Sequence, residues 1–264
     1  MKNNGMVMTP NHLNQLRKVF EVQENIQDIH PFLEKLFPIA IVENGYFLIY
    51  DTELNNRRYV FVRKVATPMP IPQGVRAAFH LESYDNRMAC VVTGDVFDES
   101  DGYVTIFHEF IHCQQSERCE QELKQKLGVA RRAQEVNDYM WEINHPFPYA
   151  APEFVQLYQS FLNKHTLSEI ESIRQQLRGI LKRHDYEYMV WQEWKEGFAR
   201  FIENQIRRRL GLPENHGGQE QPFSRVVFYE GGAHYIEKLS MREVGLTVQI
   251  EKLFDRMFAG WAER

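Results

Sequence analysis

This chain has little cysteine, no long apolar run and no large excess of one charge. Each scarcity removes a class of protein. Cys90, Cys113 and Cys119 are the three cysteines of 264 residues. An odd number this small does not make a disulfide framework, so reduced thiols are expected. The opening MKNNGMVMTPNH lacks the apolar core of a secretion signal. No run approaches the roughly 18 apolar residues that a membrane-spanning helix needs. A net charge of −5 argues against a broad nucleic-acid surface. The basic run Arg207-Arg208-Arg209 is local. It precedes Gly211 and reads as the cationic end of a helix rather than a phosphate site. Internal repeats and low-complexity tracts are absent. The expectation is a soluble, cytoplasmic protein that binds neither membrane nor nucleic acid.

What is present suits a packed core: the hydrophobic fraction is 43% and the charged fraction 25%, both ordinary for globular chains. Leu13, Leu16, Val19, Phe20, Ile26, Ile29, Leu33 and Leu36 predict a helix over 11–36. Tyr46–Tyr50, Tyr59–Val62, Ala77–Leu81 and Met88–Phe97 read as strands of a small antiparallel sheet. From Asp101 the periodicity is helical: 102–127, 153–164, 167–183, 185–210 and 243–262. Prolines break it in the loop His145–Pro152, and a Gly/Pro/polar stretch breaks it over 211–222. The order predicts an α+β fold. We expect a single domain over 1–264, with a helix and β-rich lobe in 1–100 and a helical lobe in 101–264.

The run His108-Glu109-Phe110-Ile111-His112 is an HExxH motif. On a helix, residues four apart lie one above the other. His108 and His112 can then share a metal ion at about 2.0–2.1 Å from each nitrogen, with Glu109 beside it as general base. The competing reading is a chance match made by two core histidines. A catalytic zinc takes a third protein ligand and keeps one position open. The metzincin continuation would need Gly at 115 and His at 118, where this chain has Gln115 and Arg118. Glu135, Glu142 and Glu196 remain as acidic candidates.

Glu196-Gly197-Phe198-Ala199, followed by Glu203, resembles the Glu-Gly-x-Ala-x-x-x-Glu element of the gluzincin metallopeptidases. The aminopeptidase and leukotriene-hydrolase branch is the nearest in motif order. That resemblance implies a zincin-like fold, zinc as cofactor, Glu196 as third ligand and Glu203 as an acceptor that orients a ligand histidine. Tyr229-Glu230-Gly231-Gly232 resembles the Tyr-Glu-x-Gly element of the same branch. It implies that Tyr229 donates to the oxyanion, although a tyrosine beside two glycines also suits a packed turn. The branch's Gly-x-Met-Glu-Asn strand is missing from Met88–Val96, so aminopeptidase specificity is not implied. The interval from His112 to Glu196 is also much longer than in that branch.

The expected function is zinc-dependent hydrolysis of peptide or related amide bonds, with a peptide or protein as substrate. The alternative is a non-catalytic zinc scaffold that holds a peptide partner in the same groove. Deformylase chemistry would use Cys90 as a ligand, but Ala-Cys-Val-Val does not match that family's Glu-Gly-Cys; a core role suits Cys90 better. Cys113 points about 100° away from His112 around the helix. Tyr186, Tyr188, Trp191 and Trp194 suit a core stripe better than a groove. The loop at His145–Tyr149 is read either as a lid or as a rigid connection. His184, His216 and His234 have no partner at ligand spacing.

Overall fold

The computed structural model describes residues 10–259. Most of the stretch read for a secretion signal, and residues 260–262 of the expected last helix, lie outside the described residues. The chain divides into two compact units, within Met1–Cys113 plus Arg209–Leu212 and within Gln114–Arg208 plus Pro213–Arg264. The fold is α+β and mostly helical.

In the first unit, helix α1 spans Pro10–Ile26. Leu16, Val19, Phe20 and Ile26 recur at helical spacing and are all buried. The helix stops ten residues short of the expected end because Pro31 opens a short 3-10 turn, Pro31–Leu33. Two links hold that turn. His30 Nδ1 accepts from the Phe32 amide at 3.2 Å. Gln23 of α1 donates to the carbonyls of Leu33 at 3.0 Å and Glu34 at 2.9 Å.

Five strands follow: β1 Ile39–Glu43, β2 Tyr46–Glu53, β3 Arg58–Ala66, β4 Arg76–Leu81 and β5 Arg87–Thr93. Their order is β3-β2-β1-β5-β4. The expected sheet was antiparallel and lacked β1. The observed sheet is mixed, because β1 runs parallel to β5 with Ile39 opposite Cys90 and Val42 opposite Thr93. The two strands of the parallel pair are buried in continuous runs, Ile39–Ile41 and Met88–Thr93, rather than on alternate residues. A strand covered on both faces reads this way. The last strand ends at Thr93, and Gly94–Phe97 turns as a 3-10 helix. One face of the sheet buries Ala40, Phe47, Ile49, Leu81, Tyr84, Ala89 and Val91 together.

Helix α2, Gly102–Gln115, carries the HExxH motif. A single wide π-helical turn over Ser116–Glu120 follows, then α3, Gln121–Lys126. The expected helix over 102–127 is therefore a continuous helical stretch interrupted by that turn, a distortion often found beside functional residues. Short helices α4, Gly128–Glu135, and α5, Trp141–Asn144, come next. Then come α6, Pro152–Leu162, α7, Leu167–Ile180, and α8, Arg183–Arg209. The stretch 211–222 is non-helical, as expected. Helix α9, Val227–Arg242, was not expected. The expected helix over 243–262 is shorter: a 3-10 turn at Leu246–Val248 and then α10, Ile250–Phe258. No helix among the described residues is long and apolar enough to cross a membrane.

Helix α8 organises the second unit. Tyr188, Met189, Val190 and Trp191 are consecutive and fully buried, so this part of the helix is covered on every side. Its aromatic run is core, as the sequence favoured. Trp194 Nε1 donates to the Ile250 carbonyl at 2.9 Å and Trp191 Nε1 to Glu142 at 2.9 Å, so neither indole is left unsatisfied. The loop after α5 is a packed connection. His145 stacks on Tyr188 with ring centroids 4.4 Å apart, and Phe147 packs on Phe154 at 4.9 Å and Phe228 at 5.0 Å.

Helices α8 and α9 meet backbone to backbone. A Cβ on Gly197 would stand 2.5 Å from the Gly232 Cα, and one on Gly232 would stand 2.1 Å from the Glu193 carbonyl oxygen. Neither contact can be relieved by a side-chain movement. Gly232→Ala is expected to lower stability by about 1–3 kcal/mol through overpacking. The check is the urea unfolding midpoint against wild type, with Ala233→Gly as a control in the same turn.

Candidate metal centre

The motif helix places its residues as HExxH requires. Ile106, Phe107, Phe110, Ile111 and Cys113 are buried and seat α2 in the protein. His108 is half-buried, while Glu109 and His112 are buried. The two imidazole Nε2 atoms stand 3.2 Å apart, with rings inclined at 74°. Two nitrogens at about 2.0–2.1 Å from a tetrahedral ion stand about 3.3 Å apart, so the pair already has metal-ligand spacing. The same distance suits an N–H···N hydrogen bond between unlike tautomers. Metal analysis separates the two.

The ligand atoms of His108, His112 and Glu196 all lie within 4.8 Å of one another. Two imidazoles and a carboxylate are a donor set that zinc accepts. Among the described residues, Cys90, Cys113, Glu135 and Glu142 belong to no such group.

The last turn of α2 is tied to α8 just before Glu196. Gln115 Nε2 donates to the Trp194 carbonyl at 3.3 Å and the Lys195 carbonyl at 3.1 Å. Where a metzincin would carry glycine, this glutamine is buried and positions a helix. Lys195 adds a second anchor. Its ammonium lies 3.1 Å from Glu120 and 3.0 Å from Glu142, and Lys124 lies 2.7 Å from each. The Glu142 carboxylate is thus occupied by two ammonium groups and an indole. Glu135 is exposed on α4.

Glu203 is buried on α8. It accepts from Arg207 Nε at 2.8 Å and Asn215 Nδ2 at 3.0 Å, with Arg200 Nε 3.4 Å away. Tyr229 lies in the first turn of α9, not in a turn between elements. Its half-buried ring has the guanidinium carbons of Arg200 at 5.7 Å and Arg225 at 5.6 Å. Arg225 also reaches to 3.9 Å from Glu196. Arg225 therefore neighbours two of the three residues that the resemblance picks out in this unit, Glu196 and Tyr229. Sequence reading missed it, because a single arginine between the 211–222 break and Tyr229 carries no spacing signal.

The cysteines take no part in the centre. All three are free and buried. Burial first, then the charges of Glu109 and Cys113, pushes the Cys90 thiol well up. His184 is half-exposed beside Asp185; His216 bonds Glu230 at 2.9 Å, and His234 bonds the Lys164 carbonyl at 2.7 Å. No family model, no curated protein and no solved structure matches this chain.

The Lys195 network makes a pH prediction. Burial pushes the Glu142 carboxyl up, but the charges of Lys195 and Lys124 outweigh it, with hydrogen bonds from Lys124 and Trp191, and hold it at about 2. A folded-state pKa below the unfolded value of 4.5 contributes stability that is full above that value and is lost as pH falls towards about 2. The urea midpoint of wild type should therefore fall through this window. In Glu142→Gln the fall should be shallower, from a lower starting stability.

Proposed function

We propose that this chain is a zinc-dependent hydrolase of peptide or related amide bonds, with His108, His112 and Glu196 as the metal ligands. The observation that carries this reading is the convergence of those three donors, with Glu109 next to His108 on the same helix. Zinc bound there supplies a Lewis acid for the carbonyl and lowers the pKa of a water to about 7. Glu109 takes the proton of the attacking water and returns it to the leaving amine. Its burial suits a base that works away from bulk solvent. Tyr229 donates its phenol hydrogen to the carbonyl oxygen as charge develops there. Arg200 and Arg225 flank its ring and hold it in place. Glu203 orients a ligand histidine, and Arg207 and Asn215 fix its carboxylate. The resemblance to gluzincins supports these assignments, and with them a zincin-like arrangement. The three buried free thiols support a cytoplasmic setting.

Metal analysis of the purified protein should find one zinc per chain, and Glu196→Ala should lower zinc affinity by at least about tenfold. Digestion of a diverse peptide mixture, read by mass spectrometry, should show cleavage that a chelator stops. Glu109→Gln should keep the zinc and lose cleavage by roughly a hundredfold or more. Full activity in that variant rejects the mechanism. Zinc without cleavage of any peptide points to the scaffold reading.

A further inference from the structure

The helices of the second unit line an open cleft of about 430 Å³ that the proposed chemistry does not use. One face of α7 supplies Glu171, Arg174 and Arg178, at successive turns of the helix. Helices α8, α9 and α10 add Tyr186, Tyr235 and Arg256. The lining thus brings three guanidinium groups together against one carboxylate.

Two of the three cations are engaged. Arg174 is buried and reaches Glu193 at 2.5 Å and the Met257 carbonyl at 3.0 Å. Arg256 bonds Glu243 at 2.9 Å and also pairs with Glu171. Arg178 is different. It is half-buried and has no ion pair or hydrogen bond among the described residues. Tyr235 is 2% exposed, and its hydroxyl has no hydrogen-bond partner among the described residues. Burial raises its pKa, with Arg174 and Arg256 opposing, so at neutral pH it stays a donor. Two unused donors, one of them charged, therefore face a polar space with no acceptor assigned to them.

We propose that this cleft binds a small organic oxyanion, a phosphate or carboxylate on a polar body, held by the Arg178 guanidinium and the Tyr235 hydroxyl. A planar guanidinium fork matches the oxygens of either group. Arg174 and Arg256 are neutralised by Glu193, Glu171 and Glu243, which leaves Arg178 as the cation of the lining with no carboxylate assigned to it. The body is required by size: at about 30 Å³ per water the cleft holds on the order of ten waters, far more than one inorganic phosphate fills.

The test is calorimetric titration of the full chain with inorganic phosphate, glycerol 3-phosphate and succinate. Saturable binding of glycerol 3-phosphate or succinate, tighter than that of inorganic phosphate, is expected; which of the two binds tells phosphate from carboxylate. Arg178→Ala should weaken it by about tenfold or more and Tyr235→Phe by a smaller factor. Neither change removes an internal bond, so the thermal midpoint should stay close to wild type. His112→Ala should leave the titration unchanged, which separates this cleft from the candidate metal centre, where phosphate would also bind a zinc ion. The proposal is overturned by no saturable binding of any probe, by inorganic phosphate binding as tightly as the organic anions, or by affinity that survives both Arg178→Ala and Tyr235→Phe.

Discussion

Helices α8 and α9 touch at Gly197 and Gly232 with no side chain between them. Gly231, one residue earlier, faces Tyr158 just as closely, since a Cβ there would stand 2.1 Å from its hydroxyl. Each of these glycines lies in a stretch that resembles a gluzincin motif. Their shared physical role is steric: at Gly197 and Gly232 two backbones approach more closely than any Cβ permits, and at Gly231 the Tyr158 side chain does. That contact sets the register of α9 against α8. Glu196 adjoins one of the glycines, and Tyr229 lies one turn before the other.

The same stretch of α8 is held by charged pairs just before Glu196. Glu193 is fully buried, accepts from Tyr158 at 2.7 Å and pairs with Arg174. Lys195 lies between Glu120 and Glu142. Taking such groups out of water costs several kcal/mol per ion, and the attraction between partners offsets this only where geometry is good and the remaining hydrogen-bonding capacity is met. Apolar packing could stabilise this core as well. What the ionic contacts add is direction: each requires one rotation and one axial position of α8, and so of Glu196.

Legibility in the sequence varied with the kind of signal. The HExxH helix was readable because its meaning is local: two histidines four apart on a helix face one way whatever surrounds them. Glu196 came from motif order, without a spacing rule. Helix α9 was missed because Gly231-Gly232 lowers helix propensity, and tertiary contact with α8 overrides that preference. Strand β1 was missed, and the parallel β1–β5 pairing with it, because a short continuous apolar run carries no period of its own. Arg225 and Gln115 had no pattern to betray them; their roles exist only once α8 is in place.

By itself, the sequence determined the α+β class, the HExxH helix, the reduced thiols and the buried character of the aromatic run on α8. Each follows from composition or from periodicity over a few turns. Only the tertiary structure decided that Glu196, and not Glu135 or Glu142, falls in a group with the histidines that could hold a metal ion, that Glu142 is taken up by lysines, and that Tyr229 rides on a helix. These depend on contacts between residues tens of positions apart. Such contacts are set by backbone approach and by the pairing of buried charge, and no local spacing encodes either.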